Sequence, residues 1–263
     1  MKHVKPGHSC PVICLDAGHY ADYNRCPIIP EYYESRMNWK LHLLLKKELE
    51  SYGFMVITTR SDPEKDLGLQ ARGRMGKDAD LVLSIHSNAV GSSAGENGMN
   101  ESVDYVVAYV PIDGSVTALG QALAEAVAAQ METTQKPRAV SKKGSGDWDY
   151  YSVIYGAVSV GTPGIILEHS FHTCSRSVRW LLQEENLQKL ARAEAKVLAR
   201  YFGVEKLPFA DVPETAYYAD AVRWAYSNGI TYGKDATHFH PNAPITRAEA
   251  VAMLHRYQLT IDN

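Results

Sequence analysis

Nowhere in its 263 residues does this chain hold the roughly 18 consecutive apolar residues of a membrane-spanning helix, so no membrane span is expected. It also lacks a basic excess. Lys+Arg 27 against Asp+Glu 30 leaves a formal net charge of −3, which argues against a nucleic-acid partner held on a basic surface. The stretch from Met1 to Pro11 has no apolar run of the kind a signal peptide carries. Either a leader is absent from this sequence or the protein leaves the cell without one. Cysteine is scarce: Cys10, Cys14, Cys26 and Cys174, with no second pair at zinc-finger spacing after the first two. Three of the four crowd the N-terminus, which excludes a disulfide framework across the whole fold. Free thiols are expected, with a local disulfide among Cys10, Cys14 and Cys26 as the alternative.

What is present suits a globular protein. Apolar residues make up 45% and charged residues 22%, enough to bury a sizeable core in one large domain or a large and a small one. Short apolar runs at 12–15, 54–59, 81–85, 103–110 and 164–167 read as strands. Between them, helical spacing predicts helices from Glu34 to a Gly53 cap, over 67–77, over 116–131, and as one long helix over 177–201. Residues 91–102 read as a small-residue loop, and 136–149 as a mobile loop beside a site. Strands alternating with helices predict an α/β fold: a twisted, mostly parallel sheet flanked by helices. Composition changes near Lys206, where a segment with five tyrosines and four prolines begins. It shows no strand pattern and two helical stretches, 219–227 and 247–257, the second opened by a Thr246/Glu249 capping box. The expected division is therefore 1–205 and 206–263, the latter a small all-α module.

Three apolar strands lead into residues suited to metal chemistry: Val12-Ile13-Cys14-Leu15 toward His19, Leu81 to Ile85 toward His86, and Ile165-Ile166-Leu167 toward Glu168. Ligands gather at the carboxyl ends of strands in such sheets, and polar groups converging there need partners. Two histidines and one carboxylate, Glu34 from the start of its helix, make a hydrolytic zinc site with a free position for water. A second carboxylate, Glu168, can take the proton of that water and pass it on. Each residue alone also has a plainer reading. The histidines can be structural hydrogen-bonding groups, Glu34 can serve its helix terminus, and Glu168 can pair with a surface arginine.

The motifs in order are Asp16-Ala17-Gly18-His19, Glu34 with Asn38, Ser84-Ile85-His86-Ser87-Asn88-Ala89, and Leu167-Glu168-His169-Ser170-Phe171. Over residues 10 to 203 this resembles the zinc-dependent N-acetylmuramoyl-L-alanine amidases of the Amidase_3 type, found among autolysins and phage endolysins. The resemblance implies a Zn2+ cofactor on His19, Glu34 and His86, a catalytic Glu168, and peptidoglycan as substrate. The bond cleaved is then the amide between the lactyl group of N-acetylmuramic acid and L-alanine. Among residues expected to touch substrate are His172, Asn88 and Trp148, with Tyr150 and Tyr151 beside the last. Arg72 matches a recurrent arginine that either organises structure or binds the stem peptide. Ala17 stands where proline is common, and His169-Ser170 where a pair ending in glycine is more usual. Some relatives carry an inhibitory helix after the strand of the second histidine; here the loop from Ser87 to Ser102 is too short for one.

At the C-terminus, Phe209-Ala210-Asp211-Val212-Pro213, Trp224-Ala225, Phe239-His240-Pro241-Asn242 and Ile245-Thr246-Arg247-Ala248-Glu249 resemble one S-layer homology repeat. That implies a secondary cell-wall polysaccharide as partner, with Arg247 and Trp224 as its expected contacts. Such modules commonly work in threes, so a homo-oligomer through this segment is an expectation. Action at the bacterial cell wall follows, as an endolysin released at lysis or a secreted autolysin. The alternatives are a catalytically inactive wall-binding protein, or another zinc peptidase or deacylase acting on wall fragments.

Overall fold

The computed structural model describes residues 3–8, 10–91, 94–95, 97–213 and 216–261. Six strands form one sheet in the order β2-β1-β3-β6-β4-β5. These are β1 Val12–Ala17, β2 Met55–Thr58, β3 Leu81–Asn88, β4 Val107–Val110, β5 Arg138–Ser141 and β6 Gly164–Phe171. Pairing is parallel throughout except between β4 and β6. Helices α1 Glu34–Ser51, α3 Thr117–Met131 and α6 Glu184–Phe202 contribute to the larger core with Ile13, Leu15, Leu83, Ile85, Ile165 and Leu167. On the opposite face, α4 Ser152–Val158 packs over Val12, Cys14, Val82 and Ile166. There α4 crosses α2 Leu69–Arg74 at two glycines, where a Cβ on Gly73 would meet the Val153 carbonyl at 2.1 Å. The mostly parallel α/β sheet expected from the sequence is present.

Side chains alternate between sheet faces with a period of two. Asp16 therefore shares a face with Cys14, Ser84 and His86 with Val82, and Glu168 with Ile166. That parity collects the polar residues of three adjacent strands above the smaller core.

Several elements differ from expectation. The long helix over 177–201 is two helices, α5 Ser175–Leu181 and α6, parted at Gln183, which is extended (φ −85°, ψ 119°). Val178 and Leu181 on one side of the break and Leu187 and Leu190 on the other all face one core, so apolar periodicity runs through a break that no glycine or proline marks. The loop expected over 136–149 contains β5, whose Arg138 and Ser141 ends are exposed. The strand expected over 103–110 is limited to β4, and α4 was not foreseen. Strands β3 and β6 run on to Asn88 and Phe171, so His86 and Glu168 lie within strands rather than beyond them. Cys14, Cys26 and Cys174 are buried thiols, with Cys14 pushed up to about 12 by burial and by the Asp16 charge.

C-terminal to α6, helices α7 Ala219–Ser227 and α8 Arg247–Ile261 accompany a separate small core of Phe209, Val212, Ala219 and Val222. The Asp211 carboxylate ties its ends together by accepting from the Phe239 and His240 amides. The Thr246/Glu249 capping box forms as read: Glu249 N–H donates to Thr246 Oγ1, and Thr246 N–H to Glu249 Oε2. No described helix is long and apolar enough to cross a membrane.

Candidate active site

Asp16 is fully buried and its carboxylate is the hub of the site. Oδ1 accepts from Thr59 Oγ1 (2.6 Å) and Arg72 Nη1 (3.0 Å), and Oδ2 from Ser84 Oγ (2.6 Å). Burial alone would raise its pKa. The Arg72 guanidinium and the two hydroxyls outweigh that and hold it below the usual carboxylate value.

Two branches run from this hub to the two histidines. Ser84 spends its proton on Asp16, so at 3.1 Å it accepts from Nε2 of His86. In a neutral ring that leaves Nδ1 as the acceptor nitrogen, directed at Glu34 Oε1. In the other branch Arg72 uses all five of its N–H groups, on Leu67 O, Asp16, Ala17 O, His19 O and Asp66. Its side chain is 1% exposed. The expectation that Arg72 contacts substrate is therefore corrected to its alternative: it has no donor left for a ligand and instead anchors the loop carrying His19. That loop is bent sharply, with positive φ at His19 (60°), Ala21 (45°) and Asn24 (54°), a conformation that must be held in place by such bonds. A Cβ on Gly18 would lie 2.3 Å from the His86 ring, so only glycine lets the loop pass this close.

Glu34, at the first position of α1 and 1% exposed, sits between the histidines. Its Oε2 lies 3.3 Å from His19 Nε2 and its Oε1 2.9 Å from His86 Nδ1. Asn24 Nδ2 donates to Oε2 (2.6 Å) and the Ser87 amide to Oε1 (3.1 Å). Burial opposes its charge, but the hydrogen bonds and charges of His19 and His86 prevail and keep it well below the normal range. Ligand atoms of the three residues all lie within 4.8 Å of one another. Two ligands on a tetrahedral zinc ion with bonds of about 2.1 Å stand about 3.4 Å apart. With a neutral imidazole, the 2.9 Å approach of His86 Nδ1 to Glu34 Oε1 sets an acceptor against an acceptor, a contact that a metal cation satisfies in the same way as a proton. The residues present fit a metal ion.

Glu168 pairs across the sheet with His86. Its Oε2 is buried with no hydrogen-bond partner. Burial, and then the nearby Glu34 charge, push its carboxyl well above the ordinary value. Such an unspent, perturbed carboxylate beside a ligand set is suited to proton transfer. His172 is within 3.9 Å of Glu34 Oε2, but its Nδ1 donates to the Ser87 carbonyl at 2.9 Å and its ring packs along Tyr32. Asn88 lies two residues past His86, its amide 3.5 Å from the Tyr109 hydroxyl. Trp148 lines a cleft of about 290 Å³ with Gln70, Asp149, Tyr150, Ser152 and Tyr155, none of them a metal-site residue. Tyr151 lies tilted against Tyr109, ring centroids 4.3 Å apart, and within electrostatic reach of Glu168.

Sequence reasoning missed Asn24, Thr59, Ser84 and Ser87. Ser84 was open to discovery, two positions before His86 on the same strand face; Asn24 lies in an irregular loop that carries no periodic signal. Ser170, standing where glycine is more usual, has φ 58°. Its hydroxyl donates to the buried Asp104 at 2.7 Å, a bond that offsets the roughly 1 kcal/mol such a backbone costs a non-glycine residue. Between β3 and β4 no α-helix occurs among the described residues.

In the C-terminal segment Arg247 and Trp224 are both exposed, and Trp224 packs edge-on to Tyr257. Among the described residues Arg247 makes no ion pair.

An α/β sheet with a His/Glu/His donor set and an unpaired glutamate over its strand ends defines a hydrolase class, in which a held cation and a carboxylate base act together. The sequence profile of the family described as N-acetylmuramoyl-L-alanine amidase (Amidase_3) matches residues 13–200, and the chain belongs to that family. The S-layer homology domain profile matches residues 208–251. Similar solved structures include the catalytic domain of CwlV, an N-acetylmuramoyl-L-alanine amidase from Bacillus (Paenibacillus) polymyxa var. colistinus. It is 23% identical with a TM-score of 0.60, covering 74% of this chain and 99% of that one. An N-acetylmuramoyl-L-alanine amidase from Clostridium difficile 630 is 17% identical with a TM-score of 0.61, covering 74% and 98%. The amidase AmiC2 of Nostoc punctiforme is 19% identical with a TM-score of 0.58, covering 73% and 97%. At these identities the likeness establishes the fold. A search of curated protein sequences returns no match. The chain is a peptidoglycan amidase that carries an S-layer homology segment for the cell wall.

Because the Asp16 pKa is depressed on folding, its contribution is present above the unfolded value and lost as pH falls through the folded one. Asp16→Asn strands a buried arginine and is expected to cost about 3–5 kcal/mol at pH 7. Denaturant unfolding of both proteins at several pH values checks this: the gap should narrow below about pH 4. A gap that stays constant down to pH 3 contradicts the charged hub.

Proposed function

We propose that this amidase hydrolyses the bond between the lactyl carbonyl of N-acetylmuramic acid and the L-alanine nitrogen, using a zinc ion held by His19, Glu34 and His86. The observation that carries the reading is the convergence of ligand atoms of His19, Glu34 and His86 within 4.8 Å of one another, next to a glutamate with an unspent buried oxygen. Zinc bound there would polarise the scissile carbonyl and acidify the attacking water.

The protein's own residues do the rest. Glu168 accepts a proton from the attacking water and returns it to the alanine nitrogen as the C–N bond breaks, leaving a free lactyl carboxyl and a free stem-peptide amine. Its raised pKa suits it to both halves of that transfer. Ser84 and Arg72 hold the two histidines in place, and Asn24 and the Ser87 amide orient Glu34. Asn88, His172 and Tyr151 border the same edge and are the side chains proposed to meet substrate. The segment from Ser87 to Ser102 is too short and glycine-rich for an inhibitory helix, and the purified protein is expected to act without an activating partner.

The chain divides functionally into a catalytic unit, 1–205, and a wall-binding unit, 206–263. The ligand of the latter is a secondary cell-wall polysaccharide with anionic groups, met by the exposed Arg247 and by Trp224. Helix α8 leaves Val251, Leu254 and Leu259 exposed, which supports self-association through this segment, to be read as a trimer by light scattering. An endolysin and an autolysin share this chemistry, and the gene neighbourhood separates them.

Digestion of purified muropeptides, followed by mass spectrometry of free stem peptide, tests the catalytic assignment. Glu168→Gln should lower the rate by about a hundred- to ten-thousand-fold; cleavage at the wild-type rate removes Glu168 from the mechanism. For wall binding, Arg247→Ala should reduce cosedimentation with isolated walls severalfold, and an unchanged bound fraction would discard Arg247 as a contact.

A further inference from the structure

Strand β6 carries one more residue than β3 at the site: His86 pairs with Glu168, but Asn88 pairs with Phe171. This bulge interrupts the ladder beside a metal-site residue, and carbonyls released from a ladder need other donors. Two histidines of β6 and its extension supply them. His169 Nδ1 lies 2.9 Å from the His86 carbonyl, and His172 Nδ1 lies 2.9 Å from the Ser87 carbonyl. A carbonyl only accepts, so each Nδ1 is the donor.

His169 has the longer reach. It follows Leu167 by two, so it points to the opposite sheet face from Glu168, toward α6, where its Nε2 meets Glu194 Oε1 at 3.0 Å. Both side chains are fully buried. The His86 carbonyl and the Ser87 N–H belong to one planar peptide unit. That N–H donates to Glu34 Oε1 at 3.1 Å. Turning this peptide would move the donor that orients Glu34 and shift the backbone from which the His86 ring projects.

We propose that His169, seated by Glu194, is a positioning residue for the metal site: it fixes the 86–87 peptide plane and thereby the geometry of Glu34 and His86. The inference rests on the zinc reading of that site. It gives a buried ion-pair geometry on the far side of the sheet a purpose in the chemistry on the near side, as hydrogen-bonded partners behind metal ligands have elsewhere.

The test compares two double variants, His169→Asn/Glu194→Gln and His169→Leu/Glu194→Gln. Asparagine and leucine have similar shapes, but only asparagine keeps an N–H near the position of Nδ1. Any cost of neutralising Glu194 is common to both. Zinc affinity is measured by competition with a chromophoric chelator, beside the thermal midpoint of the metal-free proteins. The leucine variant should bind zinc about 10- to 100-fold more weakly than the asparagine variant at a similar midpoint. Equal affinities beside tight wild-type binding would overturn the positioning role alone. A wild type that takes up no zinc would instead bring down the zinc reading, and this inference with it. Hydrogen exchange at the Ser87 amide of the metal-free wild type gives a second readout, independent of whether the variants fold. Strong protection is expected, and exchange as fast as in a loop would refute the fixed peptide.

Discussion

One buried carboxylate, Asp16, organises the site. Its charge is sustained against burial by Arg72, Thr59 and Ser84, and two of those three partners each continue to a histidine. Through Ser84 it sets which nitrogen of His86 carries the proton. Through Arg72 it holds the backbone of the His19 loop, whose positive-φ residues would not keep that path unaided. An aspartate that touches neither histidine thus determines the orientation of one and the placement of the other. The network is buried and every donor of Arg72 is engaged, so removing a member exposes the others to the full cost of an unpaired charge.

The sheet converts this local chemistry into an active site. Parity puts Asp16, Ser84, His86 and Glu168 on one face and His169 on the other, and the bulge in β6 includes Ser170 in a left-handed conformation. That backbone is held by Asp104, which also accepts from Ser177 and pairs with Arg176 at the start of α5. Helices behind the sheet are in this way joined to the strand that carries Glu168. The S-layer homology segment has its own small core and its own tie through Asp211.

Much of this was legible in the sequence, for a definite physical reason. Strands buried on both faces are short apolar runs, and β1, β3 and β6 announce themselves that way. The residues following such runs must meet at one sheet edge, and His19, Glu34, His86 and Glu168 lie together there. The failures are equally specific. Strand β5 has exposed ends and borrows its place from β4, leaving no apolar signature. The break between α5 and α6 hides because both helices present leucines to the same core. Arg72 and Trp148 show the limit for side chains. A sequence marks a residue as notable but not which way it faces, and here the arginine is buried beneath the site while the tryptophan lines a cleft whose walls include no metal-site residue.

The central claim is that the Asp16 network presents His19, Glu34 and His86 as a zinc site, with His86 bonding through the nitrogen that Ser84 leaves free. Diffraction from zinc-loaded crystals at the zinc absorption edge addresses it most directly. The account predicts a single anomalous peak about 2.0–2.2 Å from His19, Glu34 and His86, with His86 contributing Nδ1. A peak held by other residues, or by His86 through Nε2 with its bond to Ser84 broken, would contradict it.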